Sequence, residues 1–114
     1  MFHMLSYFDL RPGVSVEVYN QAMVKLAEHL VASDLIVGID PLGRRQRDTI
    51  LDTDGERDQE FFLMMHFKDK VQSDRAVHYI EGLSEPGGTL HSEMYQKLTN
   101  SVFVCWQDID LDRG

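Results

Sequence analysis

The segment 61–67, FFLMMHF, is the feature that most limits how this chain can fold. Read as a strand, it sends successive side chains to opposite faces of a sheet. The wholly apolar side holds Phe61, Leu63, Met65 and Phe67, and the mixed side holds Glu60, Phe62, Met64 and His66. The apolar side fits packing under helices, while the other face would still expose a large apolar patch on a monomer. Dimerisation through that second face is therefore expected.

Local patterns along the rest of the chain predict the order β-α-β-β-α-(α)-β. Residues 2–10 form a strand that a Pro-Gly breaker ends, and a helix follows from a cap at Ser15 to near residue 34. The apolar run 35–39, LIVGI, predicts a strand that continues irregularly, and residues 52–60 predict a polar turn. Asp69 and Gln72 resemble a capping box that opens a second helix. Thr89 is expected to cap a short third helix, and 101–106, SVFVCW, forms the last strand before a frayed acidic tail.

This order favours an α+β fold of the ferredoxin-like type. We expect a βαββαβ antiparallel sheet in the spatial order 4-1-3-2, with the helices on one face and an extra short helix before the last strand. The chain shows no repeats or linkers, so residues 1–114 are interpreted as one domain. The first strand then divides into a side with Phe2, Met4, Ser6, Phe8 and Leu10 and a side with His3, Leu5, Tyr7 and Asp9.

Charge and cysteine content narrow the partners and the location. The chain has 19 acidic and 11 basic residues, which give a formal net charge of −8. This charge disfavours binding to nucleic acid and to anionic lipid. The apolar runs are far shorter than the ~20 residues that a membrane-spanning helix needs. The single cysteine, Cys105, is predicted to be a small buried hydrophobe in a reducing compartment. A cytoplasmic location is expected.

The layout resembles the dimeric α/β-barrel superfamily, and especially its small bacterial members without an assigned function. The segments that carry the resemblance are FDLRPGV after the first strand, GRRQR, and the His-bearing last helix. The resemblance implies two protomers packed sheet to sheet and pockets between sheet and helices that hold small molecules. Its branches include cofactor-free monooxygenases, muconolactone isomerases and haem-degrading oxygenases. The Asn, Trp and His set of the haem-degrading branch has no match here, so no catalytic residue is transferred and no cofactor is expected.

Three histidines are predicted to point inward. In a 4-1-3-2 sheet the first and third strands are antiparallel neighbours, which brings His3 near His66. His91 falls on the apolar stripe of the short last helix. Because imidazole exchanges its proton near neutral pH, His3, His66 and Tyr7 are candidate catalytic residues, and His91 and Trp106 are candidate substrate-binding residues. In the alternative interpretation, each histidine only satisfies a backbone carbonyl or a neighbouring carboxylate.

The segment 43–47, GRRQR, holds three arginines in an otherwise acidic chain. In an extended conformation Arg45 and Arg47 share a side, where they could bind a carboxylate or a phosphate. In the alternative interpretation they pair with the acidic residues that follow. No short-range histidine spacing typical of a metal site is present, so no metal ligand is assigned.

Two functional hypotheses stay open from the sequence. In the first, the chain is an acid–base enzyme of the isomerase or cofactor-free oxygenase type that acts on a small aromatic or carboxylated substrate. His66 or His3 takes the proton, Tyr7 donates a hydrogen bond, and Arg45 or Arg47 holds the anionic end. In the second, it is a non-catalytic metabolite-binding module or a structural dimer.

Overall fold

The computed structural model describes residues 1–111, so part of the predicted acidic tail, residues 112–114, lies outside it. The described chain forms an α+β fold with one antiparallel sheet and three helices. The strands are β1 (Phe2–Leu10), β2 (Gly38–Ile39), β3 (Gly43–Arg44), β4 (Phe61–Phe67) and β5 (Leu98–Gln107), and the helices are α1 (Val16–Ala32), α2 (Lys70–Glu81) and α3 (Gly87–Tyr95). No helix of this part is long and apolar enough to cross a membrane.

The sheet has the strand order β2-β4-β1-β5, and β3 pairs with β4 beside β2. This confirms the predicted arrangement, in which the first and third predicted strands, here β1 and β4, are central neighbours. The antiparallel register sets His3 opposite His66 and Tyr7 opposite Phe62. On its other side β1 pairs with β5, where His3 faces Trp106.

Helices cover only one face of this sheet. Ser15 caps α1 by accepting a hydrogen bond from the Val18 amide at 3.1 Å, as the sequence predicts. The buried stripe of α1 packs on the sheet, and Phe8, which is completely buried, lies 5.0 Å from the Tyr19 ring. Asp69 caps α2 in the same way at the Gln72 amide. Every second residue of β4, from Phe61 to Phe67, is buried under this layer.

The opposite face, which we call the open face, carries none of the helices found in residues 1–111. Its side chains are partly exposed and largely apolar or aromatic. They are His3, Leu5 and Tyr7 of β1, Phe62, Met64 and His66 of β4, and Val102, Val104 and Trp106 of β5. The predicted division of β1 and β4 into two sides is therefore confirmed.

Three local predictions differ from the structure. The second strand is limited to Gly38–Ile39, because the Leu35 amide still donates to the Leu30 carbonyl at the end of α1. Helix α3 starts at Gly87, before Thr89, and the Glu85 side chain accepts the Thr89 amide at 2.9 Å in place of the expected threonine cap. The predicted polar turn is the end of a longer loop, residues 45–60, whose ends meet through the Arg45 amide and the Glu60 carbonyl.

The prediction that Cys105 is buried is wrong, because the structure leaves it exposed. Cys105 lies on β5, which pairs only with β1 among the described strands and so forms an edge of the sheet. Phe103, on the same side of β5, is also 45% exposed, so the helical layer does not cover this part of the strand, whereas Leu98 at its start is buried. An apolar sequence pattern cannot distinguish an edge strand from a central one.

Candidate functional site

A continuous chain of hydrogen-bonding groups lies at one end of the open face. The Nδ1 atoms of His3 and His66 are 2.8 Å apart, within hydrogen-bond distance. His3 Nε2 lies 2.8 Å from Oδ1 of Asp108, and His66 Nε2 lies 2.9 Å from Oδ1 of Asp40. We call His3 and His66 the histidine pair. The adjacency that the strand register predicts is thus present, and each ring is also bonded to a carboxylate.

The histidine pair is partly shielded from solvent. Its side chains are 12% exposed at His3 and 21% exposed at His66, and the two rings meet edge to face. The Trp106 ring lies 5.2 Å from His3. Oδ2 of Asp108 is 3.2 Å from the terminal ammonium group of Met1. Hydrogen bonds from His3 and from this ammonium group hold the pKa of Asp108 below its ordinary value, so Asp108 is ionised at neutral pH.

Strand ends position both carboxylates. Asp40 directly follows β2, which pairs with β4 so that Gly38 faces His66. Asp108 directly follows β5, whose Trp106 faces His3. The sequence interpretation missed both residues. An acidic residue immediately after a strand that flanks each histidine is the signal that could have found them.

A second feature, the loop pocket, lies at the other end of the open face. It has a volume of about 500 Å³, and its lining residues are Tyr7, Arg44, Arg45, Gln46, Thr49, Leu51, Asp52, Thr53, Asp54, Arg57, Gln59 and Phe62. Tyr7 and Phe62 form an edge-to-face pair with ring centroids 5.4 Å apart. The guanidinium of Arg57 lies 5.6 Å from the Tyr7 ring centroid. An aromatic surface and a set of polar loop side chains therefore line one cavity.

Arg45 holds the wall of the loop pocket together. Its side chain is 6% exposed and makes two hydrogen bonds of 2.7 Å to the carboxylate of Asp52. It also donates to the backbone carbonyls of Asp54, at 2.7 Å, and Arg57. The hydrogen bonds from Arg45 lower the pKa of Asp52. Arg45 is thus engaged within its own loop.

The other candidate arginine, Arg47, is also paired, with Asp58 at 3.2 Å. Arg47 does not line the loop pocket. Arg57 also lines the loop pocket, and the sequence interpretation missed it. Asp54 holds Arg57 through an ion pair of 2.7 Å. This hydrogen bond, with those from the Glu56 and Arg57 amides, lowers the pKa of Asp54 to about 2.

The sequence-predicted site residues fall into three places. His3, His66 and Trp106 meet at one end of the open face, whereas Tyr7 and Arg45 line the loop pocket at the other. His91 lies in the helical layer, where its ring stacks on Tyr95 at 5.4 Å and partial burial lowers the pKa of His91. Tyr7 is four residues from His3 along β1, which is about 13 Å in a strand. The two cannot contact the same reacting atom within one chain.

Comparison with solved structures supports the fold. The chain is similar to a protein from Arabidopsis thaliana, with a TM-score of 0.74, 8% identity and coverage of 98% of this chain and 99% of that one. It is similar to SnoaB, a cofactor-independent oxygenase from Streptomyces nogalater, with a TM-score of 0.66, 10% identity and coverage of 99% and 97%. It is also similar to a dimeric protein of unknown function and ferredoxin-like fold from Bacteroides fragilis, with a TM-score of 0.53, 17% identity and coverage of 94% and 95%.

The chain therefore has a ferredoxin-like fold. At these identities the likeness establishes the fold alone. The sequence matches no protein-family model and no curated protein sequence.

Proposed function

We propose that this chain binds a small aromatic molecule in the loop pocket and works as a homodimer. The observation that carries the proposal is the cavity of about 500 Å³, a size within the range of small-molecule sites. Tyr7 and Phe62 offer ring surface to an aromatic ligand, and the Tyr7 hydroxyl is assigned as a hydrogen-bond donor to it. Arg57 is assigned to an anionic substituent of the ligand. Arg45 and Arg47 keep the loop in place rather than contact the ligand.

The homodimer is inferred from the open face. Val104 and Trp106 are each 39% exposed, and Leu5, Phe62 and Met64 are partly exposed beside them. Contiguous apolar surface of this kind is typical of an interface and unusual on a monomer. The Bacteroides fragilis protein with this fold is described as dimeric. A second copy of this chain is therefore our assigned occupant of the open face, in a cytoplasmic setting that suits a single cysteine.

Ligand binding can be tested by titrating the 15N-labelled protein with benzoate, 4-hydroxybenzoate and phenol and recording its amide NMR spectrum. We expect shifts centred on loop residues such as Thr53 and Gln59. Loss of one hydrogen bond in Tyr7→Phe should weaken binding about 2- to 12-fold, which corresponds to 0.5–1.5 kcal/mol. Tyr95→Phe is the matched control, because Tyr95 lies on α3 in the helical layer. Shifts centred outside the loop pocket, or equal weakening in both variants, would contradict the proposal.

A second candidate function is proton transfer by the histidine pair. It is favoured by the two carboxylate-bonded imidazoles on the open face. Because Tyr7 is about 13 Å away along the strand, His3 or His66 would act without it, and Trp106 would contact the substrate. The test is solvent deuterium exchange into a panel of phenols and β-keto acids, followed by NMR. His3→Gln and His66→Gln should abolish exchange, and His78→Gln, on the exposed side of α2, should not. Exchange that survives both substitutions excludes this candidate.

A further inference from the structure

The charge state of the histidine pair follows from its hydrogen bonds. Three contacts join four groups in a row, namely Asp108 with His3, His3 with His66, and His66 with Asp40. Each contact has a length of 2.8 or 2.9 Å and so requires one hydrogen between its two heavy atoms. An ionised carboxylate can only accept a hydrogen bond. The Nε2 atoms of both rings must therefore carry a proton each.

The central contact needs a third proton. One Nδ1 must donate to the other, so three of the four ring nitrogens are protonated. Two neutral imidazoles carry only two ring protons, one each. We propose that His3 and His66 form a proton-binding site that holds one proton more than a neutral pair, as a shared imidazolium between the carboxylates of Asp40 and Asp108. The proposal is independent of what the loop pocket binds.

Adding or removing a proton costs the site a hydrogen bond. A fourth ring proton would place two N–H groups against each other at the 2.8 Å contact, which would have to break. Loss of the third proton would leave one contact without a hydrogen. The single-proton excess therefore keeps more hydrogen bonds than either neighbouring state.

The surrounding charges support the same state. Within residues 1–111, Asp40 after β2 and Asp108 after β5 are each bonded to one ring of the pair, and the terminal ammonium of Met1 contacts Asp108. The one shared imidazolium and the ammonium balance these two carboxylates. A neutral pair would leave one of these two carboxylates without a cationic partner. The Trp106 ring lies beside His3, and its indole has no titratable group.

The test is NMR of the full chain labelled with 15N-histidine, at pH 7. We expect the nitrogens of His3 and His66 to correspond to three protonated sites and one proton-free site, with a coupling between the two Nδ1 atoms through their hydrogen bond. Two protonated and two proton-free nitrogens, or four protonated ones, would overturn the proposal. Absence of the Nδ1–Nδ1 coupling would overturn it as well.

A substitution at Asp108 is expected to change the number of protons on the histidine pair without breaking the hydrogen bond between the two Nδ1 atoms. In Asp108→Asn the amide can donate to His3 Nε2, so all three contacts are satisfied by a neutral pair. The count should fall from three protonated nitrogens to two, while the Nδ1–Nδ1 coupling is kept. Asp108 is 54% exposed, so the exchange is compatible with folding. Asp74→Asn, on the exposed side of α2, is the control, and the histidine pair should keep three protonated nitrogens in this variant. An unchanged count in Asp108→Asn would contradict the proposal.

Discussion

Replacing Val104 with lysine tests whether a second copy covers the open face. Val104 is a residue of β5 that lies opposite Leu5 of β1 and points to the open face. Its side chain is 39% exposed in the single chain, so substitution leaves the helix-side core untouched. If a second copy buries this side chain, the variant must either bury an ammonium group or lose the contact. Dissociation of the dimer is the expected result.

The size of the effect follows from the exposed fraction. Full burial of a valine side chain contributes about 1.5–3 kcal/mol, so the 39% that is still exposed corresponds to about 0.6–1.2 kcal/mol per protomer. Two-fold symmetry doubles this to about 1.2–2.4 kcal/mol, a rise in the dimer dissociation constant of about 8- to 60-fold. Desolvation of an ammonium group adds several kcal/mol for each ion that stays buried. The dissociation constant should therefore rise by at least about tenfold.

Sedimentation velocity over a concentration series measures this constant directly. The matched control is Phe103→Lys, because Phe103 is the preceding residue on the same strand, is 45% exposed, and points to the other side of the sheet. The control should stay dimeric at concentrations where the Val104 variant is monomeric. Equal loss in both variants would indicate association through the edge of β5. A monomeric wild-type protein, or an unchanged dissociation constant in the Val104 variant, would refute the inference that a second copy covers the open face.

Three further predictions concern the loop pocket and the helical layer. Since Arg57 lowers the pKa of Asp54 to about 2, their ion pair is complete above the ordinary pKa of 3.8 and is lost as the pH falls towards 2, which loop amide shifts should follow. Shifts that change only near pH 6 would contradict this assignment. Gly87→Ala puts a Cβ within 2.1 Å of the Tyr79 ring and should lower the free energy of unfolding by about 1–3 kcal/mol in urea denaturation; an unchanged midpoint would refute it. Arg45→Gln should speed proteolytic cleavage within 45–60, whereas Arg47→Gln, at an exposed ion pair, should not; equal rates would contradict the role given to Arg45.

The sequence predicts the fold because its main strands and first helix are locally periodic. Alternation in β4 separates the buried side from the open face, and the 3.6-residue stripe of α1 identifies its core side. The antiparallel pairing of β1 with β4 then brings His3 beside His66 without any knowledge of loops. The errors concern positions that periodicity does not address. Whether Cys105 is covered depends on which strand lies at the edge, and the start of α3 depends on a side-chain contact from Glu85.

The candidate sites were only partly predictable for a related reason. Strand residues such as Tyr7 could be assigned to a face, but their partners come from connecting segments whose conformation has no periodic signature. Asp40 and Asp108 lie just beyond strand ends, and Arg57 lies in the loop 45–60. Arg45 is predicted either to hold an anionic ligand or to pair with the acidic residues that follow it, and the structure shows it lining the loop pocket while bonded to Asp52 and to loop carbonyls.

The separation of the histidine pair from the loop pocket has a consequence for a symmetric dimer. Leu5 and Met64 lie between the two features, near the middle of the open face. In face-to-face packing the two-fold axis lies in the plane of the interface. An axis parallel to the strands sets each histidine pair against the partner's pair, which juxtaposes two imidazolium charges. An axis perpendicular to the strands exchanges the ends, so that each pair lies over the partner's loop pocket. The second arrangement avoids the charge repulsion and brings a proton-holding group to an aromatic ligand, so the dimer axis decides whether the two proposed functions act on one molecule.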